Sequence, residues 1–263
     1  MEGDGLMAAH EAYFDESERK GGVFCVAGYA FLPRQARRFV KEWRAVFDPY
    51  GGFHMVDLVS KHEGFEGITN SERDALLKEA VHIVNSRMQF GVAVSCYMDE
   101  VRLHSPKWIR GFSHAYPLCC QLSMVALGTS LDTAGIPDGV TYVFESGHAY
   151  EAEATDVIKS IVSDPDLKRR CHHEGTAFLP KPRAVPLQAA DLLAWEWAKC
   201  KDETLDQELR PIRKSLLALF QRDPHRYRVH HITGPKLIKY LGVVRNLGLE
   251  QLREQGESRH EIQ

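Results

Sequence analysis

Ala12-Tyr13-Phe14-Asp15-Glu16-Ser17 runs through the polar link Glu18-Arg19-Lys20-Gly21-Gly22 into Val23-Phe24-Cys25-Val26-Ala27-Gly28-Tyr29-Ala30-Phe31-Leu32. Two apolar, aromatic runs joined by a charged link with two glycines read as a β-hairpin. Asp15 and Glu16 fall at the end of its first strand. Pro33 then opens a helix, since proline at the first helical position gives up no N–H that the helix needs. Phe39, Val40, Trp43, Val46 and Phe47 follow at helical spacing.

Beyond the hairpin the pattern alternates. Phe53-His54-Met55-Val56-Asp57-Leu58-Val59 reads as a short strand or extended segment. Thr69 or Asn70 caps a helix over about 71–86, with Leu76, Leu77, Ala80, Ile83 and Val84 as its buried stripe. A Val-rich and aromatic strand is expected over about 89–98. A helix over about 108–131 is expected to break or kink near Pro117. Val140-Thr141-Tyr142-Val143-Phe144 reads as a buried strand running into Glu145-Ser146-Gly147. A helix over about 150–163 and a strand over about 172–179 form a further α/β unit, and an apolar helix over about 186–199 packs on a sheet. Helical stretches near 204–221 and 234–247 and a polar tail over about 253–263 follow. The order indicates an α/β fold, a mixed β-sheet flanked by helices. No linker divides it, so 1–203 reads as one α/β domain with 204–263 as a helical extension packed on it.

Composition narrows the function classes. Formal net charge is −3, from 33 Lys+Arg against 36 Asp+Glu, so no global basic coat draws in nucleic acid, although a local basic face remains open. Lys168-Arg169-Arg170, Lys181-Pro182-Arg183 and His225-Arg226-Tyr227-Arg228 are the local candidates. Lys181 and Arg183 stand out because they just precede the apolar helix. The six cysteines form no C-x-x-C pair and several sit in apolar runs, as small buried thiols do in a reducing cytosol. Cys171-His172-His173 lacks the second cysteine pair that structural zinc needs. The first residues are acidic, unlike a signal peptide, and no long apolar run spans a membrane. A soluble, cytoplasmic protein is expected.

Three acids carry the chemistry. Asp15 and Glu145 end apolar strands, where ligands of α/β sheets gather. Asp191 interrupts Ala189-Ala190 and Leu192-Leu193-Ala194, and a carboxylate there must point outward, be paired or meet a cation. Together they describe acids on two strands and one helix converging at one end of a sheet. Such acids suit Mg²⁺ or Mn²⁺, hard cations that favour carboxylate oxygen. Two ions of this kind cleave phosphoesters without a nucleophilic side chain, and neither G-x-S-x-G nor a P-loop is present.

Tyr13-Phe14-Asp15-Glu16-Ser17, Ala27-Gly28-Tyr29, Phe53-His54-Met55-Val56-Asp57-Leu58, Val143-Phe144-Glu145-Ser146-Gly147 and Pro186-Leu187-Gln188-Ala189-Ala190-Asp191-Leu192-Leu193-Ala194, in this order, resemble the DUF3800 family of bacterial and phage proteins. The resemblance covers about residues 12–200. It implies a ribonuclease-H-like fold with metal-binding acids at Asp15, Glu145 and Asp191. It also matches Glu16 and Gln188, and His54 and Asp57 as a His-x-x-acid feature. Glu18 stands where a glycine often follows the family's Asp-Glu-Ser, and Lys181-Pro182-Arg183 where serines are frequent.

The function expected is a metal-dependent phosphodiesterase, a nuclease on RNA or DNA, with a nucleotide as the smaller alternative substrate. Asp15, Glu145 and Asp191 bind Mg²⁺ or Mn²⁺, and His54 is a catalytic or phosphate-contacting group. Glu16, Asp57 and Gln188 support them, while Lys181 and Arg183 meet the substrate. The rival reading is a non-catalytic nucleic-acid- or protein-binding module that retains the fold.

Overall fold

The computed structural model describes residues 9–105, 114–205 and 211–239. The expected starts of the 108–131 and 204–221 helices, the end of the 234–247 helix and the polar tail involve positions outside them.

A six-stranded mixed sheet forms the middle layer. Its strands are β1 (His10–Glu18), β2 (Val23–Phe31), β3 (Phe90–Tyr97), β4 (Val140–Glu145), β5 (His173–Leu179) and β6 (Tyr227–Ile232), in the spatial order β5-β4-β1-β2-β3-β6. The hairpin expected at the N-terminus is present. β1 pairs antiparallel with β2 and β2 with β3, whereas β1–β4, β4–β5 and β3–β6 are parallel. Gly22 closes the hairpin with a positive φ of 86°, which a glycine adopts without strain. Every residue of β2 is buried, as a central strand covered on both faces requires.

Helices cover both faces. Alternation along β1 sends Ala12 and Phe14 to one face and Tyr13 and Asp15 to the other. The first face is covered by α5 (Ala115–Thr133) and α6 (Glu151–Ser163). The second is covered by α8 (Pro186–Leu205), which lies across β1 and β2, with α1 (Pro33–Phe47) and α3 (Asn70–Arg87) beside it. Ala36, Phe39, Trp43 and Phe47 form the buried stripe of α1. A capping box starts α3: Thr69 accepts from the Glu72 N–H while Glu72 accepts from that of Thr69.

Several expectations are corrected. The segment after Phe53 is not extended but a short helix, α2 (Met55–Ser60), because a carboxylate from α8 caps it from outside. Pro117 lies in the first turn of α5, where no intrahelical N–H is lost, so it causes no break. α8 runs on to Leu205, beyond the expected end. Two further helices, α4 (Met98–His104) and α7 (Pro165–Arg170), were not anticipated. The C-terminal extension is not purely helical: after α9 (Lys214–Gln221) comes β6, which completes the sheet beside β3. Among the described residues, no helix is long and apolar enough to cross a membrane.

Candidate metal centre

β1 and β4 run parallel with Phe14 beside Phe144, so Asp15 approaches Glu145, the last residue of β4. β1 itself continues to Glu18, so Asp15 does not end its strand as expected. α8 passes over the same end and contributes Asp191 from its second turn. Asp15 and Asp191 are almost wholly buried, at 1% and 4% exposure. All three acids surround one positive charge. The Lys181 ammonium lies 2.8 Å from Asp15 Oδ2, 3.0 Å from Glu145 Oε2 and 3.8 Å from Asp191 Oδ1. Lys181 therefore stands among the acids themselves, and its ammonium is engaged there rather than free for a substrate as expected. Arg183, two residues on, is exposed.

Glu16 is more than a supporter. One carboxylate oxygen from each of Asp15, Glu16 and Glu145 lies within 4.8 Å of the others, the only metal-like grouping of His, Cys or acidic residues among the described residues. Asp191 stands just outside that triad and joins it through Lys181. Cys171, His172 and His173 form no such group, and His172 turns its Nε2 to Asp132 at 2.8 Å.

Crowding shifts the acids' proton affinities. Burial, a hydrogen bond with Glu145 and the charge of Asp191 hold Asp15 well above the usual carboxylate range. Burial and the charge of Glu145 raise Glu16 to about 7. Burial also raises Asp191, against the pull of Lys181 and His54. Burial alone would raise Glu145 too, but the hydrogen bond with Asp15 and the nearby ammonium bring it below its ordinary value. Lys181 is held firmly protonated, since Asp191, Asp15 and Glu145 outweigh its desolvation.

The neighbouring residues orient the acids. Asp191 Oδ2 accepts the Met55 N–H at 2.6 Å, leaving Oδ1 to face Lys181 and, at 3.9 Å, His54 Nε2. His54 Nδ1 meets Asp57 Oδ2 at 2.8 Å. The Gln188 carbonyl oxygen accepts from Trp43 Nε1 and from the Phe53 N–H, each at 2.9 Å. Gln188 thus fixes the segment that carries His54. On this side a cleft of about 380 Å³ opens, lined by Arg44, Tyr50, His54, Asp57, Lys181 and Gln188.

On the other side of Glu145 lie aromatic residues that sequence reading passed over. Tyr116 stacks on His148 and His114 on Tyr150, with centroids 3.9 and 3.6 Å apart. Nothing in the spacing of these four residues signals that the fold brings them together. A larger cleft, about 770 Å³ and lined by Lys168, Arg169, Arg170, His172 and His173, lies where β4 and β5 begin. The acids stand where those strands end, so that cleft is separate from them. No protein-family model matches the chain, and no curated protein matches it in sequence.

Proposed function

We propose that this chain is a divalent-metal-dependent phosphodiesterase, a nuclease acting on RNA or DNA, with a ribonuclease-H-like arrangement and membership of the DUF3800 family. The observation that carries the proposal is the convergence of Asp15, Glu145 and Asp191, from two strands and a helix, on the Lys181 ammonium.

The donor set fits Mg²⁺ or Mn²⁺. It consists of hard carboxylate oxygens and is largely buried; three acids meet one ammonium, and Glu16 lies close to two of them. Asp15 Oδ2 is buried and accepts no well-aligned hydrogen bond. Asp15, Glu145 and Glu16 or Asp191 would hold the ion. Bound there, such an ion supplies Lewis-acid polarisation of a phosphoryl oxygen and acidifies water.

The chain's own groups have distinct tasks. Asp191 stays oriented because one of its oxygens is fixed by the Met55 N–H. His54 is 44% exposed on its side chain and borders the cleft. In the tautomer that donates Nδ1–H to Asp57, its Nε2 faces the cleft and, at 3.9 Å, Asp191 Oδ1, placed to exchange a proton with a substrate oxygen. Arg183 is an exposed cation beside the turn that carries Lys181, suited to a phosphate backbone.

One observation favours a second reading. Lys181 already neutralises part of the acid cluster, as it would in a non-catalytic binding module. Thermal melting with Mn²⁺, together with cleavage of labelled RNA and DNA strands, separates the two. The nuclease reading expects Mn²⁺-dependent stabilisation and cleavage in the parent and neither in Asp15→Asn. At a hundred times its Kd the ion would add about 2.7 kcal/mol to stability. An unchanged melting point at millimolar Mn²⁺, with no cleavage, would overturn it in favour of the binding module.

A further inference from the structure

Lys181 belongs to the turn between β5 and α8, closed by the Pro180 carbonyl, which accepts from the N–H groups of Arg183 and Ala184 at 2.9 and 3.2 Å. The backbone there is anchored, but the side chain is a flexible four-carbon stem ending in a point charge. That stem reaches inward to the acids. It also lines the cleft shared with His54 and Asp57, and its side chain keeps 18% of its surface exposed. Two places are therefore within reach of the ammonium, one among the carboxylates and one in the open cleft.

We infer that Lys181 is the resident counter-ion of the acid cluster, that it withdraws into the His54 cleft when a divalent cation enters, and that this exchange sets which cations the site accepts. The inference rests on the metal-dependent reading above. Asp15 Oδ2 is the second observation behind it: this oxygen is buried, accepts no well-aligned hydrogen bond and has the Lys181 charge 2.8 Å away. When Lys181 departs, a group so placed must take up a proton or meet another cation, because an isolated buried charge is too costly. A divalent ion meets that need without protonating the acids.

Charge arithmetic supplies the selectivity. Replacing the ammonium by Na⁺ or K⁺ leaves the charge among the acids unchanged, while still requiring the incoming ion to shed water. Replacing it by a divalent ion adds one positive charge where acid side chains from two strands and a helix converge, and favours their ionised forms. Lys181 therefore acts as a threshold that monovalent ions do not pass. Once withdrawn, its charge stands in the cleft beside His54, on the approach of an anionic substrate.

The test uses the intact chain and Mn²⁺ alone. Calorimetric titration compares Mn²⁺ affinity in the parent and in Lys181→Met, and acetic anhydride footprinting read by mass spectrometry follows Lys181 in the parent with and without Mn²⁺. Exposed Lys159 serves as the internal reference for the footprint. Lys181→Met is expected to bind Mn²⁺ at least about tenfold more tightly, having lost the competing charge, a gain of about 1.4 kcal/mol. Acetylation of Lys181 relative to Lys159 is expected to rise several-fold at saturating Mn²⁺ and to stay low in Na⁺ at equal ionic strength.

Equal or weaker binding by Lys181→Met, or a Lys181 that stays protected at saturating Mn²⁺, overturns the exchange while leaving the metal site standing. Failure of Mn²⁺ to bind either protein overturns both. Binding by Lys181→Met alone overturns the exchange as well, since Lys181 then excludes the ion instead of yielding to it. The footprint needs no variant, so a misfolded Lys181→Met does not protect the inference.

Discussion

Asp191 and Met55, 136 positions apart, are joined by a 2.6 Å hydrogen bond from the Met55 N–H to Asp191 Oδ2. One carboxylate thus does two jobs, closing the amino end of α2 and presenting its other oxygen to the cation position. Charge and hydrogen-bonding roles can be separated by substitution. Asp191→Asn keeps an acceptor for Met55 and should stay folded, yet lose Mn²⁺ stabilisation and cleavage. Asp191→Ala leaves a buried N–H unsatisfied and should cost a further ~1–3 kcal/mol in urea denaturation. Equal stability of the two variants would show that the hydrogen bond is dispensable.

Gln188 holds two donors at once, the Trp43 indole and the Phe53 N–H. Gln188→Leu preserves bulk and removes both acceptor interactions. A loss of about 2–4 kcal/mol is expected in equilibrium unfolding, because two donors lose their partner together. Since the segment it fixes carries His54, cleavage should fall in folded protein as well. Wild-type stability in this variant would mean that water replaces the amide.

His231 provides a pH signature remote from the acids. Trp197 Nε1 donates to Ser95 Oγ at 2.9 Å, and Ser95 Oγ in turn lies 2.9 Å from His231 Nδ1. Burial, reinforced by Lys201 and Lys236, lowers this imidazole to about 4. Between roughly 6.5, the unperturbed value, and about 4, the unfolded chain holds a proton that the folded one refuses. Stability from this residue is therefore complete above that window and is lost as pH falls through it. His231→Gln should lose less stability than the parent between pH 7 and pH 5, measured by urea midpoints. Parallel losses would refute the assignment.

Gly28 faces Phe14 across the hairpin, one position before Asp15. A Cβ at Gly28 would collide with the carbonyl of Tyr13 and the Cα of Phe14, both backbone atoms with no freedom to yield. Gly28→Ala should therefore cost at least about 1–3 kcal/mol, in the manner of an overpacked core. It should also displace Asp15, so that Mn²⁺ no longer raises the melting temperature of whatever folds. An unperturbed melting curve would contradict this.

The hairpin, the strand ending at Glu145 and the helix carrying Asp191 were legible in the sequence because each follows from a local period or a run of apolar residues. α2 was not. Phe53-His54-Met55-Val56-Asp57-Leu58-Val59 is too short for helical period to declare itself, and its amino end is satisfied by a carboxylate 136 positions away. β6 was hidden by its charged and histidine residues, which read as a basic surface although they pair with β3. Lys181 was noticed, but its place among the acids was not foreseen. Proximity along the chain suggested a substrate contact, whereas the electrostatics of three carboxylates from distant elements draw the ammonium inward. The same limit explains Gln188, whose partners come from α1 and from the segment before α2.

The position of β6 gives the chain a schedule. On a ribosome, Asp15, Glu145, Lys181 and Asp191 have all been made before Tyr227–Ile232 appears, yet among the described residues β3 is paired on its outer side by that strand alone. Until then β3 offers a bare row of N–H and C=O groups, the kind of template on which nascent chains cross-pair. The acid cluster can thus form on time while the molecule remains adhesive at its far edge. The outer edge of β3 is shielded once Tyr227–Ile232 has docked beside it.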